Sequence, residues 1–199
     1  MFRLAFVFAA LVAFALPGAI SVEAADGPFG VAMGQKGDEL VFDKDIGDGY
    51  FLLHAVPRPH SHFESYTVMY HESTGVCLFQ AVGVDVATGA DGAALKQEYE
   101  MIAGLVSRAY GNYDHYEHLA DGSSLDGDDN YMAAMAQGEM SLQASWDEES
   151  KADLKNHITE VLLWGKATDA QTGYVLLQYR FANWAECADR IEAENDGPF

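Results

Sequence analysis

The stretch His157–Ala182, HITEVLLWGKATDAQTGYVLLQYRFA, decides the fold class. Two runs rich in Val, Leu and aromatic residues flank the polar turn Asp169-Ala170-Gln171-Thr172, which predicts strands over His157–Thr168 and Gly173–Ala182 joined as a hairpin. Strand side chains alternate, so Val175, Leu177, Tyr179 and Phe181 share one face. Just upstream, Met140, Leu142, Ala144 and Trp146 alternate with Ser141, Gln143 and Ser145, the pattern of a half-buried strand.

The first half repeats this character. Tyr50–Val56, Phe63–His71 and Val76–Val86 read as strands, with Pro57 ending the first because it cannot donate to a ladder. Asp43–Gly49 reads as turn chemistry. Leu95, Tyr99, Ile102, Val106 and Ala109 recur at helical spacing, predicting a helix over 92–110 with Asp91 as cap and Gly111 as terminator. Residues 112–129 read as an acidic loop, followed by a short helix from Asn130 through Gln137. A last helix starts at Trp184 and buries Trp184, Cys187, Ala188 and Ile191, with Asn183 and Glu186 at capping-box spacing. The expectation is an α+β fold: antiparallel sheet in a βββ-α-βββ-α order with helices packed on one face. Residues 25–199 form one domain, with 25–111 and 130–199 as two similar half-modules.

Residues 1–24 read as a secretory signal peptide: Arg3, an apolar run from Leu4 to Leu16, a Pro17-Gly18 break and cleavage after Ala24. The expected location is therefore periplasmic or extracellular, with no membrane span. Export makes the two cysteines, Cys77 and Cys187, an expected disulfide, since an even count in an oxidising compartment favours pairing. The net charge of −20, from 31 acidic against 11 basic residues, repels phosphate backbones and argues against nucleic acid as a partner.

The strings Phe29–Leu40 (FGVAMGQKGDEL), Val56–Tyr66 (VPRPHSHFESY) and Gly75–Gly83 (GVCLFQAVG) resemble an uncharacterised group of exported bacterial proteins. The first string is also similar to the entry of small α+β modules in β-lactamase-inhibitor-protein-like and BamE-like outer-membrane-assembly proteins. Those modules begin G-x-S/T-x-x-E-L/V. Gly34, Glu39 and Leu40 match, and Lys36 stands at the position of the capping hydroxyl. The resemblance implies binding or assembly rather than catalysis.

Catalytic motifs are missing from the sequence: it has no GxSxG, HExxH, SxxK or glycine-rich phosphate loop. No catalytic residue and no cofactor is assigned. His60 and His62 at i, i+2, with His54 or His71 nearby, form the one candidate metal set, the basis of an alternative reading as a metal-binding protein or metal-dependent hydrolase. His115 and His118, Asp126–Asn130 and the Asp43/Asp45/Asp48 turn fit solvated loops better than metal sites, because each lacks a defined further ligand. Tyr66, Tyr70, Tyr110, Tyr113, Tyr116 and Trp164 are candidates to line a groove for a peptide or sugar. The leading expectation is a non-catalytic binding module whose partner is another envelope or secreted protein, or a small ligand.

Overall fold

The computed structural model describes residues 26–195. The predicted signal segment 1–24 lies outside them. Alternating strands pair wherever a short turn returns the chain. β1 (Phe42–Gly47), β2 (Tyr50–Leu53), β3 (Phe63–His71) and β4 (Gly75–Gly83) form an antiparallel meander, followed by the two-residue β5 (Val86–Ala87) and helix α1 (Ala93–Tyr110). β6 (Asp114–Leu119), α2 (Tyr131–Ala136), β7 (Met140–Trp146), β8 (Ile158–Ala167), β9 (Thr172–Phe181) and α3 (Trp184–Asn195) complete the fold. The predicted hairpin is β8–β9, paired from Ile158↔Phe181 to Ala167↔Gly173.

The two strand runs join through β4 and β9, giving one sheet of order β1-β2-β3-β4-β9-β8-β7-β6, with β5 also paired to β9. The fold is α+β and the sheet antiparallel, as expected. The order of elements differs from βββ-α-βββ-α in three places, the first being that the strand expected over Val76–Val86 ends at Gly83 and Val86–Ala87 forms the separate β5. Asp43–Gly49 is not all turn: Phe42–Gly47 forms β1, and Asp48-Gly49 makes the reversal. The supposed loop 112–129 contains β6, paired residue for residue with β7 from Asp114↔Ser145 to Leu119↔Met140. The second strand run therefore opens inside that segment rather than at 130. Both strands are sheet edges, where charged side chains stay solvated and hydrophobic alternation is lost.

The inner face of the sheet carries the main core. Val68, Phe79, Ala81, Leu163, Val175 and Leu177 meet Leu95, Tyr99, Ile102 and Val106 of α1 and Met132 of α2. Phe29, from the segment preceding β1, stacks on Phe79 at 5.3 Å and meets Phe63 and Tyr66 at 5.4 and 5.3 Å. α1 is capped from upstream. Asp91 Oδ1 accepts the Ala93 N–H and Thr88 Oγ1 the Ala94 N–H, while Gly92 takes a left-handed turn.

α3 does not share the face of α1 and α2, which corrects the expectation of helices on one face. Its Cys187 and Ile191 pack with Met69 and Leu78 in a separate cluster. Met69 and Leu78 alternate with the inward Val68 and Phe79, so they point to the outer face. Cys77 is the extra residue of a bulge, since Met69 pairs with Leu78 and Tyr70 with Val76. The bulge leaves Cys77 beside Leu78 in the α3 cluster, bonded to Cys187 with the Cα atoms 6.2 Å apart. Asn183 does not cap α3. Its side-chain amide donates to the carbonyls of Thr74 and Val76, pinning the helix start to the β3–β4 turn. At that turn Gly75 has φ +72°, and a Cβ there would lie 2.3 Å from the Gly34 carbonyl oxygen, so both conformation and space require glycine.

Burial raises the Tyr99, Tyr131 and Tyr179 phenols well above their ordinary value, with the Glu117 carboxylate adding to the effect at Tyr99 and Tyr131. Tyr50 and Tyr110 are raised as well, again chiefly by burial.

Two predictions follow from this architecture. The disulfide closes a separation of 110 residues, for which chain entropy gives about 4–5 kcal/mol before strain. The double variant Cys77→Ser/Cys187→Ser should lose stability of that order by urea unfolding, and intact mass should show both native thiols blocked. The unfolded chain ionises its tyrosines near the ordinary 10.0 while the folded chain keeps these phenols protonated. Stability from them is therefore complete below that pH and falls as pH rises above it. Absorbance at alkaline pH should show the buried tyrosines ionising together with loss of near-ultraviolet dichroism, not before it.

Candidate functional site

The inner face of the sheet is largely covered by α1 and α2, whereas the outer one is not. Along β9 the residues between the inward Val175, Leu177 and Tyr179 are Tyr174, Leu176 and Gln178, and the registers extend each across neighbouring strands. One row runs Ser65, Val82, Leu176, Trp164, Gln143, Tyr116. It crosses six strands, or roughly 24 Å at ~4.8 Å per strand. A second row beside it runs Thr67, Gln80, Gln178, Leu162, Ser145.

The helices leave this area open among the described residues. α1 and α2 pack on the inner face, and α3 packs on β3 and β4, with Trp184 reaching β9 where the Arg180 guanidinium lies 4.4 Å from its ring. Tyr116 is 53% exposed, and Trp164 and Leu176 are half-buried.

Hydrogen bonds hold the polar side chains of the face in fixed positions. Thr67 Oγ1 donates to Gln80 Oε1 at 3.0 Å, and Gln80 Nε2 donates to Gln178 Oε1 at 2.9 Å, an amide ladder across β3, β4 and β9. Trp164 Nε1 donates to Gln143 Oε1 at 3.0 Å, tying the indole to the neighbouring strand β7. Lys166 sits 5.6 Å from the Trp164 ring centroid. The first row carries no carboxylate, although the chain holds 31 acidic residues, while the second ends on β6 at Asp114, opposite Ser145. At the margin, Glu160 is paired to Arg180 at 2.9 Å.

The residues singled out from the sequence scatter. Of the six aromatic candidates, Tyr116 and Trp164 lie on this face. Tyr66 is buried in the core, Tyr70 packs with Phe42 and Phe51, Tyr113 lies against Trp146, and Tyr110, the last residue of α1, sits near Tyr179. The four histidines do not converge. The His60 and His62 rings stack at 5.1 Å, but His62 Nδ1 is held by Glu98 Oε1 at 2.6 Å. His71 Nε2 meets Glu194 at 2.8 Å and its Nδ1 meets Ser73 Oγ, while His54 is exposed beyond β2.

Among the described residues no group of three or more His, Cys, Asp or Glu side chains stands close enough to hold a metal. The acidic turns bond to themselves: Asp45 Oδ1 accepts the Gly47 N–H, and the Asn130 amide donates to the Asp126 carbonyl. Lys36, at the capping position of the resembled modules, makes no cap. Gly37–Glu39 is one 3₁₀ turn, and the Lys36 ammonium reaches the Glu72 and Ser73 carbonyls instead.

Sequence reasoning missed Val82, Leu176, Gln80, Gln178 and Thr67 as members of one surface. Leu176 and Gln178 alternate with the recognised face of Val175, Leu177 and Tyr179, which is a signal. Their cross-strand neighbours, however, are fixed by the β4–β9 register and not by local pattern. Compared with known proteins, the chain matches no family model, no curated protein and no solved structure.

The amide ladder gives a direct check on this geometry. Gln80→Leu removes the shared partner of Thr67 and Gln178, each only 8% exposed. It should cost about 1–3 kcal/mol in urea unfolding, as expected for largely buried polar groups left without partners.

Proposed function

We propose that this chain is an exported, non-catalytic binding module that engages another exported protein through the open outer face of its sheet. One observation carries the reading: the Val82–Leu176–Trp164–Gln143–Tyr116 row is an apolar and amide strip without a carboxylate, in a molecule of net charge −20. Protein interfaces concentrate Trp and Tyr at their centre and exclude charge there. Fixed side chains lower the ordering cost of association, and the Trp164–Gln143 bond and the amide ladder fix several on this strip.

Charge also selects the kind of partner. Pairing two copies would bring two bodies of −20 together, whereas a neutral or basic exported protein would be drawn in. The signal-peptide reading of residues 1–24 supports a site of action outside the cytoplasm. The Cys77–Cys187 bridge is consistent with it, because such bonds persist where the compartment is oxidising. No helix among the described residues is long and apolar enough to cross a membrane. The motif-poor sequence and the divergent histidines supply nothing that favours a hydrolase.

Trp164→Asp combined with Tyr116→Ser removes a half-buried indole and its bond to Gln143, so it should lower the urea unfolding free energy by about 1–2 kcal/mol and keep the far-ultraviolet dichroism of wild type. Immobilised wild type and variant are then exposed to the exported-protein fraction of the source cells. A protein held in stoichiometric amount by the wild type and lost by the variant is the expected outcome. Equal retention on both, or retention on neither, rejects the proposed face.

A further inference from the structure

A separate cavity lies on the other side of the sheet. It opens between α1 and β9, with a volume of about 230 Å³. Ile102, Leu105 and Val106 of α1 and Leu177 of β9 form its apolar walls, and Phe29 and Phe63 close one end. The larger depressions elsewhere are bordered by carboxylates such as Asp45, Asp48 and Glu72, or Asp43 and Glu64.

Two phenols face this cavity. Tyr110 and Tyr179 both line it, with ring centroids 6.2 Å apart. Tyr179 is only 6% exposed. None of the hydrogen bonds among the described residues uses the hydroxyl of either one. Neither hydroxyl is among the buried polar atoms left without a partner, so water in the cavity satisfies them and a ligand that displaces that water can take its place as their partner.

The end wall is held against its own backbone preference. Phe29 has φ +53°, an outlier for a bulky side chain. It is secured because the Arg58 N–H donates to the Phe29 carbonyl at 3.0 Å and the Arg58 guanidinium to the Gly27 carbonyl at 2.7 Å. His60 stands at the cavity, and its backbone N–H donates to the Tyr66 hydroxyl at 3.1 Å. The neighbouring His62–Glu98 contact ties that loop to α1. The segment around Phe29 and the loop around His60 thus form a fixed rim over the space between α1 and the sheet.

We propose that this cavity binds a small uncharged aromatic molecule carrying one hydrogen-bonding N–H or O–H group. Size sets the first limit. A dry apolar cavity of ~150 Å³ accepts benzene, and pockets for drug-sized ligands begin near ~300 Å³. The observed volume fits one ring with a substituent or two fused rings. Charge sets the second limit. No carboxylate, lysine or arginine lines the walls, and the molecule's net charge of −20 opposes entry of an anion. The tyrosine pair supplies the polar contact that distinguishes such a ligand from a plain hydrocarbon.

Calorimetry on the whole mature protein tests this, with p-cresol and indole as probes, toluene as the apolar comparator and benzoate as the charged one. Saturable binding of p-cresol and indole is expected, with Kd on the order of 100 μM for ligands of this size. Ala109 is an exposed helix residue at the cavity mouth, so Ala109→Trp should block the space and abolish binding without touching the core. Tyr110→Phe/Tyr179→Phe should weaken p-cresol about fivefold and leave toluene unchanged, the size of one net hydrogen bond. No saturable binding of either probe, undiminished binding in Ala109→Trp, or benzoate bound as tightly as p-cresol would overturn the proposal. The outer-face variant Trp164→Asp/Tyr116→Ser should bind the probes as wild type does, so the cavity and the protein-binding face stand or fall separately.

Discussion

The β4–β9 ladder is the pairing on which the rest of the molecule depends. β4 ends one strand run and β9 ends the other, and five registered pairs from Leu78↔Arg180 to Val82↔Leu176 turn two meanders into one sheet. Because both strands become central, their inward residues are buried by α1, and Phe79 opposite Tyr179 becomes the meeting point of the aromatic core. The same register sets Val82 beside Leu176 and Gln80 beside Gln178 on the outside. Without it the outer strip would be two unrelated short rows.

Two further constraints lock the ladder at its end. The Cys77 bulge and the Cys187 bond hold α3 against the outer side of β3 and β4, and Asn183 ties the helix start to the β3–β4 turn. α3 therefore shields one end of the outer face and leaves the other open. On the inner side Phe29 performs the matching task, filling the end of the core that α1 does not reach. The cavity lies beside it, with exposed Ala109 and half-buried Leu105 of α1 among its lining.

Much of the framework was legible along the chain. The hairpin over β8 and β9, the strand β7, the long helix α1 and the pairing of the two cysteines rest on local alternation, helical spacing or parity. The edge strands β1 and β6 were not. FDKDIG and DHYEHL carry charge on both faces, and only their neighbours make them strands. The histidines show the opposite failure. Their i, i+2 spacing brings His60 and His62 together, but among the described residues no third ligand joins them, because His54 and His71 lie elsewhere in the fold.

By itself, the sequence determined the α+β class, the main strands and helices, the disulfide partners and the acidity of the molecule. Those follow from period, turn chemistry and composition, which act over a few residues or over the whole chain at once. The tertiary structure alone decided that the two strand runs share one sheet, that α3 lies opposite α1, and that an uncharged strip and a tyrosine-lined cavity lie on opposite faces of it. Each depends on register between strands about a hundred residues apart, such as Val82 with Leu176. Register is set by the simultaneous burial of both partners, and no local pattern encodes it.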